Sequence, residues 1–267
     1  MDNPILLNYS THEGIVAFSS TRRGGCSKGT HASFNVNAYC GDDIDDLLEN
    51  RRSLCHKLDI GIDRLIMPHQ VHGVECRNID EAFMQLSEEQ RKEVLEGVDA
   101  LSTQMHGVCI GVSTADCIPI LLYDPEKCAV AAIHAGWRGT QKKVVVSMLD
   151  FMARHYGTDS RNVLALIGPG ISMDCFEVGQ EVYDAFAQAQ FPMDSISRRY
   201  KDSHADDMTK WHINLWEANR ILLMSHGVEE ENIQVAGICT YQNDNLFFSA
   251  RKHGVNSGRM LTAIMIK

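Results

Sequence analysis

The longest apolar run of the chain, from Val108 to Tyr123, is interrupted by Asp116, Cys117 and Pro119. A helix that spans a membrane needs about 20 predominantly apolar residues without such breaks, so the run reads as two buried strands joined at a turn. The turn carries a carboxylate and a thiol, and a carboxylate inside a buried run must be paired or must face a cavity. Short apolar runs of about four to six residues alternate with amphipathic stretches along the chain, the pattern of strands interleaved with helices. Strands are expected at Ile15–Ser19, Leu65–Met67, Val74–Ile79, Val108–Ser113, Ile118–Tyr123, Cys128–Ile133, Val163–Ile167, Ile233–Ile238 and Asn245–Ser249.

Between Asp43 and Leu58 the apolar residues Ile44, Leu47, Leu48, Leu54, Cys55 and Leu58 follow helical spacing, with Asp42 as the expected N-cap. A second helix is expected from Thr140 to His155, burying Val144, Val145, Met148, Leu149 and Met152 and stopping at Gly157. Further helices are expected near 81–96, 179–190 and 214–226. The polar stretch Arg198 to Lys210 reads as a surface loop too short to divide the chain, and no repeat or low-complexity linker occurs. These readings give one α/β domain over residues 1–267, with a mixed sheet covered by helices.

Charge narrows the function. The 267 residues carry 25 Lys+Arg against 35 Asp+Glu, a net charge of −10. No basic run stands out against that balance, so nucleic acids and anionic membrane surfaces are not expected partners. Met1-Asp2-Asn3-Pro4 lacks a basic stretch followed by an apolar one, and the nine cysteines are scattered without a CxxC pair. Export is therefore not expected, and the thiols should stay reduced in the cytoplasm.

Four segments combine glycine or proline with reactive side chains: Thr21-Arg22-Arg23-Gly24-Gly25-Cys26-Ser27, Pro68-His69-Gln70-Val71-His72-Gly73, Thr114-Ala115-Asp116-Cys117-Ile118-Pro119 and His134-Ala135-Gly136-Trp137-Arg138-Gly139-Thr140. Imidazole and thiolate suit zinc, and His72, Cys117 and His134 supply three ligands, leaving the fourth position open as in a catalytic site. The same residues allow a different chemistry, in which Cys117 is a nucleophile, His134 its base and Asp116 or another acid the group that orients the base. Pro68 and Gly73 argue against a helix for the HxxH pair, so His69 and His72 point to opposite faces, only one of them can readily face a given site, and the other supports it or contacts substrate. Arg22 and Ser27 in the glycine loop, and Arg138 beside a predicted helix start, are candidate anion contacts. Trp137 could stack on a flat ring or simply pack.

Taken together these segments resemble the laccase-domain family, also called the YfiH or PgeF family (peptidoglycan editing factor; polyphenol oxidoreductase in older naming). The likeness runs through Thr21-Arg22-x-Gly24-Gly25-x-Ser27, Ser33-Phe34-Asn35-Val36, Gly41-Asp42-Asp43, Glu49-Asn50-Arg51, His69-Gln70-Val71-His72-Gly73, Asp99-Ala100-Leu101, Ala115-Asp116-Cys117-x-Pro119 and His134-Ala135-Gly136-Trp137-Arg138-Gly139. It continues with Ile167-Gly168-Pro169-Gly170-Ile171, Phe176-Glu177-Val178-Gly179, Cys239-Thr240 and Phe247-Phe248-Ser249. Each piece alone is weak; in this order they are specific. Ala250-Arg251-Lys252, Phe34 and Phe176 depart from the family pattern without touching the expected ligands.

The resemblance implies a three-layer α/β/α domain with a mixed sheet and a zinc site on His72, Cys117 and His134, with copper as the alternative metal. It implies phosphorolysis of adenosine, inosine and methylthioadenosine and deamination of adenosine to inosine, linked to peptidoglycan precursor quality control. Catalytic candidates are then Cys117, His134, Asp116 and His69, and substrate contacts Arg22, Ser27, Gln70 and Arg138. The expected partners are a purine nucleoside and phosphate, bound by a monomer or homodimer. The competing readings are a copper-dependent polyphenol oxidase and a cysteine hydrolase or amidase using Cys117 and His134.

Overall fold

The computed structural model describes residues 3–9, 12–201 and 209–267. Its strands form two larger sheets. The first has five strands, in the order Leu6–Asn8, Ile15–Ser20, Met260–Ile266, Cys109–Thr114 and Leu65–Ile66. Its pairs are antiparallel except the last. The second has six strands, ordered Ile233–Val235, Leu164–Ile167, Ile118–Asp124, Ala129–Ala135, Ala100–Thr103 and Cys76–Asn78, with a parallel pair at each edge and antiparallel pairs between. A small antiparallel sheet joins Glu177–Val178, Thr209–Ile213 and Ser197–Lys201.

The architecture is mixed α/β with mixed sheets, and the alternation of side chains along each strand shows how the layers stack. Along Ala129–Ala135, residues Ala129, Ala131, Ile133 and Ala135 pack with Val145, Met148 and Leu149 of the helix Val144–Tyr156 and with Leu222 and Leu223 of the helix Leu215–Ser225. Val130 and Ala132 point the other way, into a core shared with Ile110, Val112 and Ile264 of the five-stranded sheet. The outer face of that sheet presents Phe18, Leu261 and Ala263 to Leu54 of the helix Ile44–Leu58. Helices thus cover both outer faces, and the strands between them are shared by two facing sheets. Leu121, Leu166 and Ile264 are essentially removed from water between those sheets, where truncation to Ala costs about 2–5 kcal/mol each.

Several local expectations differ from the structure. Asp43, and not Asp42, caps the first long helix, accepting from the N–H groups of Asp45 and Asp46. Asp42 instead accepts from Ser27 and Asn35. The helix expected from Thr140 divides into Trp137–Gln141 and Val144–Tyr156, because Lys143 turns left-handed between them at φ +64°. The one expected near 81–96 likewise divides, into Glu81–Met84 and Glu88–Val94, with Ser87 opening the second through a reciprocal cap with Gln90. Asn245–Ser249 is not a strand but a turn leading to the helix Ala250–His253. The ends of the expected loop Arg198–Lys210 pair as antiparallel strands, and its remaining residues, 202–208, lie outside the described residues. No helix among the described residues is long and apolar enough to cross a membrane.

At one end of the molecule the chain passes twice from the five-stranded sheet to the six-stranded one. One passage lies between Leu65–Ile66 and Cys76–Asn78, the other between Cys109–Thr114 and Ile118–Asp124. Both are built from segments that the sequence marks as chemically loaded.

Candidate metal centre

His72 lies in the first passage and Cys117 in the second, while His134 sits near the end of the central strand Ala129–Ala135. His134 shares parity with Val130 and Ala132, so its ring points between the sheets where they part. The ligand atoms of His72, Cys117 and His134 all lie within 4.8 Å of one another, with His72 exposed, Cys117 half-buried and His134 buried. Cys117 Sγ is 3.8 Å from His72 Nε2, and the two imidazoles meet edge to face with centroids 4.8 Å apart. Gly136 makes room for them, since a Cβ there would stand 2.8 Å from His72 Cδ2 and 3.0 Å from Cys117 Sγ.

A buried carboxylate organises this cluster. Asp99 immediately precedes the strand Ala100–Thr103 and faces the gap between the sheets, as Leu101 does two residues on. It accepts from the backbone N–H groups of Val71 at 3.3 Å, His72 at 3.0 Å and Gly73 at 2.6 Å. The left-handed turn of His72, φ +62°, helps curl these donors around one anion. Asp99 also accepts from His134 Nδ1 at 2.7 Å. A carboxylate has no proton to give, so Nδ1 must be the donor and Nε2 is left facing the thiol.

The electrostatics follow from these contacts. Burial works against an ionised Asp99, but the His134 hydrogen bond and charge and the donors of the loop overcome it and hold the carboxyl below its usual range. Burial also opposes a Cys117 thiolate, yet His134 and His72 outweigh it and bring the thiol down to about 6. His134 is raised to about 9 against the cost of burial, chiefly by the Cys117 sulfur and by Asp99. Without a metal the pair is therefore thiolate and imidazolium near neutral pH. A thiolate and two imidazoles, one with its tautomer fixed by a carboxylate, form a donor set suited to zinc or copper.

The other candidates occupy different positions. Asp116, at φ +86°, turns its carboxylate away from solvent and accepts from the hydroxyls of Thr240 and Ser249 and the N–H of Arg251. His69 Nδ1 pairs with Glu96 at 2.7 Å, and its ring stacks on the exposed Tyr39 with centroids 4.0 Å apart. Gln70 is held by the backbone of Ser113, donating to its carbonyl and accepting from its N–H. Arg22 donates to the carbonyls of Ala32 and Asp244 and lies over the Phe248 ring. Ser27 is buried between Asp42 and Asn50. Arg138 is exposed, with its guanidinium 4.2 Å over the Trp137 ring. Asp99 and Gly136 were not among the expected site residues. The signal for Asp99 is a carboxylate at the mouth of a buried strand, a position that demands donors.

Fold and cluster together define a mixed α/β protein with a His–Cys–His group able to hold a metal at the junction of two sheets. The model of the multi-copper polyphenol oxidoreductase laccase family matches residues 16–267, and the chain belongs to that family. It is 44% identical over 257 residues to a purine nucleoside phosphorylase of Bacteroides thetaiotaomicron, covering 96% of this chain and 93% of the relative. It is 41% identical over 255 residues to adenosine deaminase RL5 from an unknown prokaryotic organism, covering 96% and 95%. Among solved structures, YlmD from Geobacillus stearothermophilus superposes with a TM-score of 0.86 at 32% identity, covering 96% of this chain and 93% of that one.

Proposed function

We propose that the protein is a zinc-dependent purine nucleoside enzyme that phosphorolyses adenosine, inosine and methylthioadenosine and deaminates adenosine to inosine. The observation that carries this reading is the convergence of His72, Cys117 and His134 within 4.8 Å, open to solvent on the His72 side. Names borne by relatives over nearly the whole chain, purine nucleoside phosphorylase and adenosine deaminase, supply the substrate class. Zinc held by these three residues supplies Lewis-acid activation of water, the chemistry that deamination requires.

The chain's own groups have separable parts in this reading. Asp99 fixes the tautomer of His134 and the curl of the loop that carries His72. His69, with Nδ1 given to Glu96, keeps Nε2 to accept or return a proton. Asp116 holds the turn of Cys117 through its three donors. Arg138 offers a guanidinium for phosphate, whereas that of Arg22 is committed to backbone carbonyls. With a protein charge of −10, phosphate must be captured by such local donors.

A second reading, a hydrolase with Cys117 as nucleophile, is favoured by the thiolate–imidazolium pairing of Cys117 and His134. One experiment separates the two. Bound metal is measured on the purified protein, which is then incubated with adenosine with and without phosphate while adenine and inosine are followed. Loss of zinc and of both products in Cys117→Ala is the expected result; loss of zinc with nucleoside turnover intact overturns the metal reading. Consumption of an amide substrate by metal-stripped protein, with neither purine product formed, favours the hydrolase.

A further inference from the structure

Gln70 stands two residues before His72, and Ser113 four before Cys117. Whatever joins Gln70 to Ser113 therefore joins the two passages that carry these ligands. The side-chain amide of Gln70 does so: Oε1 accepts from the Ser113 N–H at 2.8 Å and from its hydroxyl at 3.1 Å, and Nε2 donates to the Ser113 carbonyl at 2.9 Å. The ladder between Leu65–Ile66 and Cys109–Thr114 ends at the pair Ile66 and Ile110. Beyond that pair the Gln70 amide takes the place of a strand, meeting the peptide groups of the buried Ser113 as another peptide would.

A second side chain grips the same point. Asn37 Nδ2 donates to the Ser113 hydroxyl, and Asn37 Oδ1 accepts from the N–H of Tyr39 at 2.6 Å. Tyr39 in turn stacks on His69, the neighbour of Gln70. The contacts close a circuit from His69 and Gln70 through Ser113 and Asn37 to Tyr39 and back to His69.

We propose that Gln70, backed by Asn37, is a positioning residue of the metal centre, whose amide sets how far apart the two passages stand and with them His72 and Cys117. Asp99 ties the loop of His72 to the six-stranded sheet through the N–H groups of Val71, His72 and Gly73. Gln70 ties the same loop to the five-stranded sheet, so the loop is held from both sides and His72 Nε2 is kept at 3.8 Å from Cys117 Sγ. The inference rests on the reading of His72, Cys117 and His134 as metal ligands. It gives Gln70 a supporting part in place of the substrate contact expected from the sequence.

The test measures the affinity of metal-stripped protein for zinc ion by competition with a chromophoric chelator. Gln70→Met keeps the length of the side chain and removes its hydrogen bonds. Its zinc affinity should fall about 10- to 100-fold, with the far-ultraviolet circular dichroism unchanged. Leu166→Ala, a core truncation between the sheets, separates positioning from stability: it weakens the fold, but while the protein stays folded its zinc affinity should equal that of the wild type. Equal losses of affinity in the two variants would mean that Gln70 acts through stability alone and would overturn the proposal, as would an unchanged affinity in Gln70→Met. Because Gln70 and Asn37 share the Ser113 hydroxyl, Gln70→Met combined with Asn37→Ala should cost less than the sum of the separate losses; additive losses overturn the circuit. If Gln70→Met does not fold, Gln70→Asn, one methylene short of Ser113, carries the comparison. A wild-type protein that takes up no zinc overturns the metal reading itself, an outcome distinct from each of these.

Discussion

Asp99 and His134 face each other across neighbouring strands and are joined twice, by the His134 N–H to the Asp99 carbonyl at 2.8 Å and by the ring to the carboxylate at 2.7 Å. The same carboxylate gathers the N–H groups of Val71, His72 and Gly73. One side chain therefore sets two of the three candidate ligands. Asp99→Asn keeps the size but removes the charge and places two amide protons among four donors. Metal affinity should fall about 10- to 100-fold, read by competition with a chelator, with the far-ultraviolet circular dichroism unchanged. Unaltered affinity would detach Asp99 from the metal centre.

Gly136→Ala places a methyl group against both His72 and Cys117. Backbone conformation is not the obstacle there, since Gly136 is extended at φ −66° and ψ 172°. The expected outcome is a folded protein that has lost most of its metal, seen as reduced stoichiometry by elemental analysis. Full stoichiometry would mean the ligands had moved apart freely.

Protonation of the metal-free pair gives a pH signature. With Cys117 lowered to about 6 and His134 raised to about 9, the thiolate and imidazolium coexist between those values. Alkylation of Cys117 by iodoacetamide should hold its rate as pH falls from 8 to near 6 and decline below that, whereas a thiol near about 8.5 would already lose reactivity below pH 8. Metal binding in the same window should release the proton of His134 Nε2, measurable by calorimetry in buffers of different ionisation enthalpy.

Asp116→Ala leaves the hydroxyls of Thr240 and Ser249 and the N–H of Arg251 without their acceptor in a buried site. It also keeps a side chain at a left-handed backbone position, φ +86°. The stability lost should be on the order of 3 kcal/mol, measured by urea unfolding of the metal-free form so that altered metal binding does not enter. A change within experimental error would remove Asp116 as the anchor of this turn.

Arg138→Ala should raise the KM for phosphate by about tenfold, the scale of one charge-assisted hydrogen bond. Deamination of adenosine, which uses no phosphate, should keep its rate. Equal losses in both assays would count against a phosphate role for Arg138.

The sequence made the central strands legible because runs such as Ile118–Tyr123 and Val163–Ile167 are apolar on both faces, and both faces turn out to be covered. It could not divide them between two sheets, since a strand buried between sheets reads like one buried under a helix. Met260–Ile266, now in the middle of the five-stranded sheet, is apolar enough to be read as a strand but was not assigned. Thr209–Ile213 carries Lys, Trp and His, and pairing with Ser197–Lys201 overrides its polar composition. Of the candidate site residues, His72, Cys117 and His134 converge in space, each within two residues of a glycine or proline, Gly73, Pro119 and Gly136. Gln70, Ser27 and Arg22 sit in the same marked segments, yet their polar atoms are spent on Ser113, Asp42 and the carbonyls of Ala32 and Asp244. Side-chain type shows what a residue can bind but not which neighbour reaches it first.

The two passages of the chain between sheets also bear on the timing of metal loading. Because the ligands arrive from separate segments, with His134 on a strand, Cys117 in the crossing that leads into the strand paired with it and His72 in the other crossing, no short stretch of the unfolded chain presents all three. An ion taken up by this group would have to wait until the sheets have docked; once bound, it would act as a clasp at their open end, and removing it should let that seam fray before the rest of the molecule gives way.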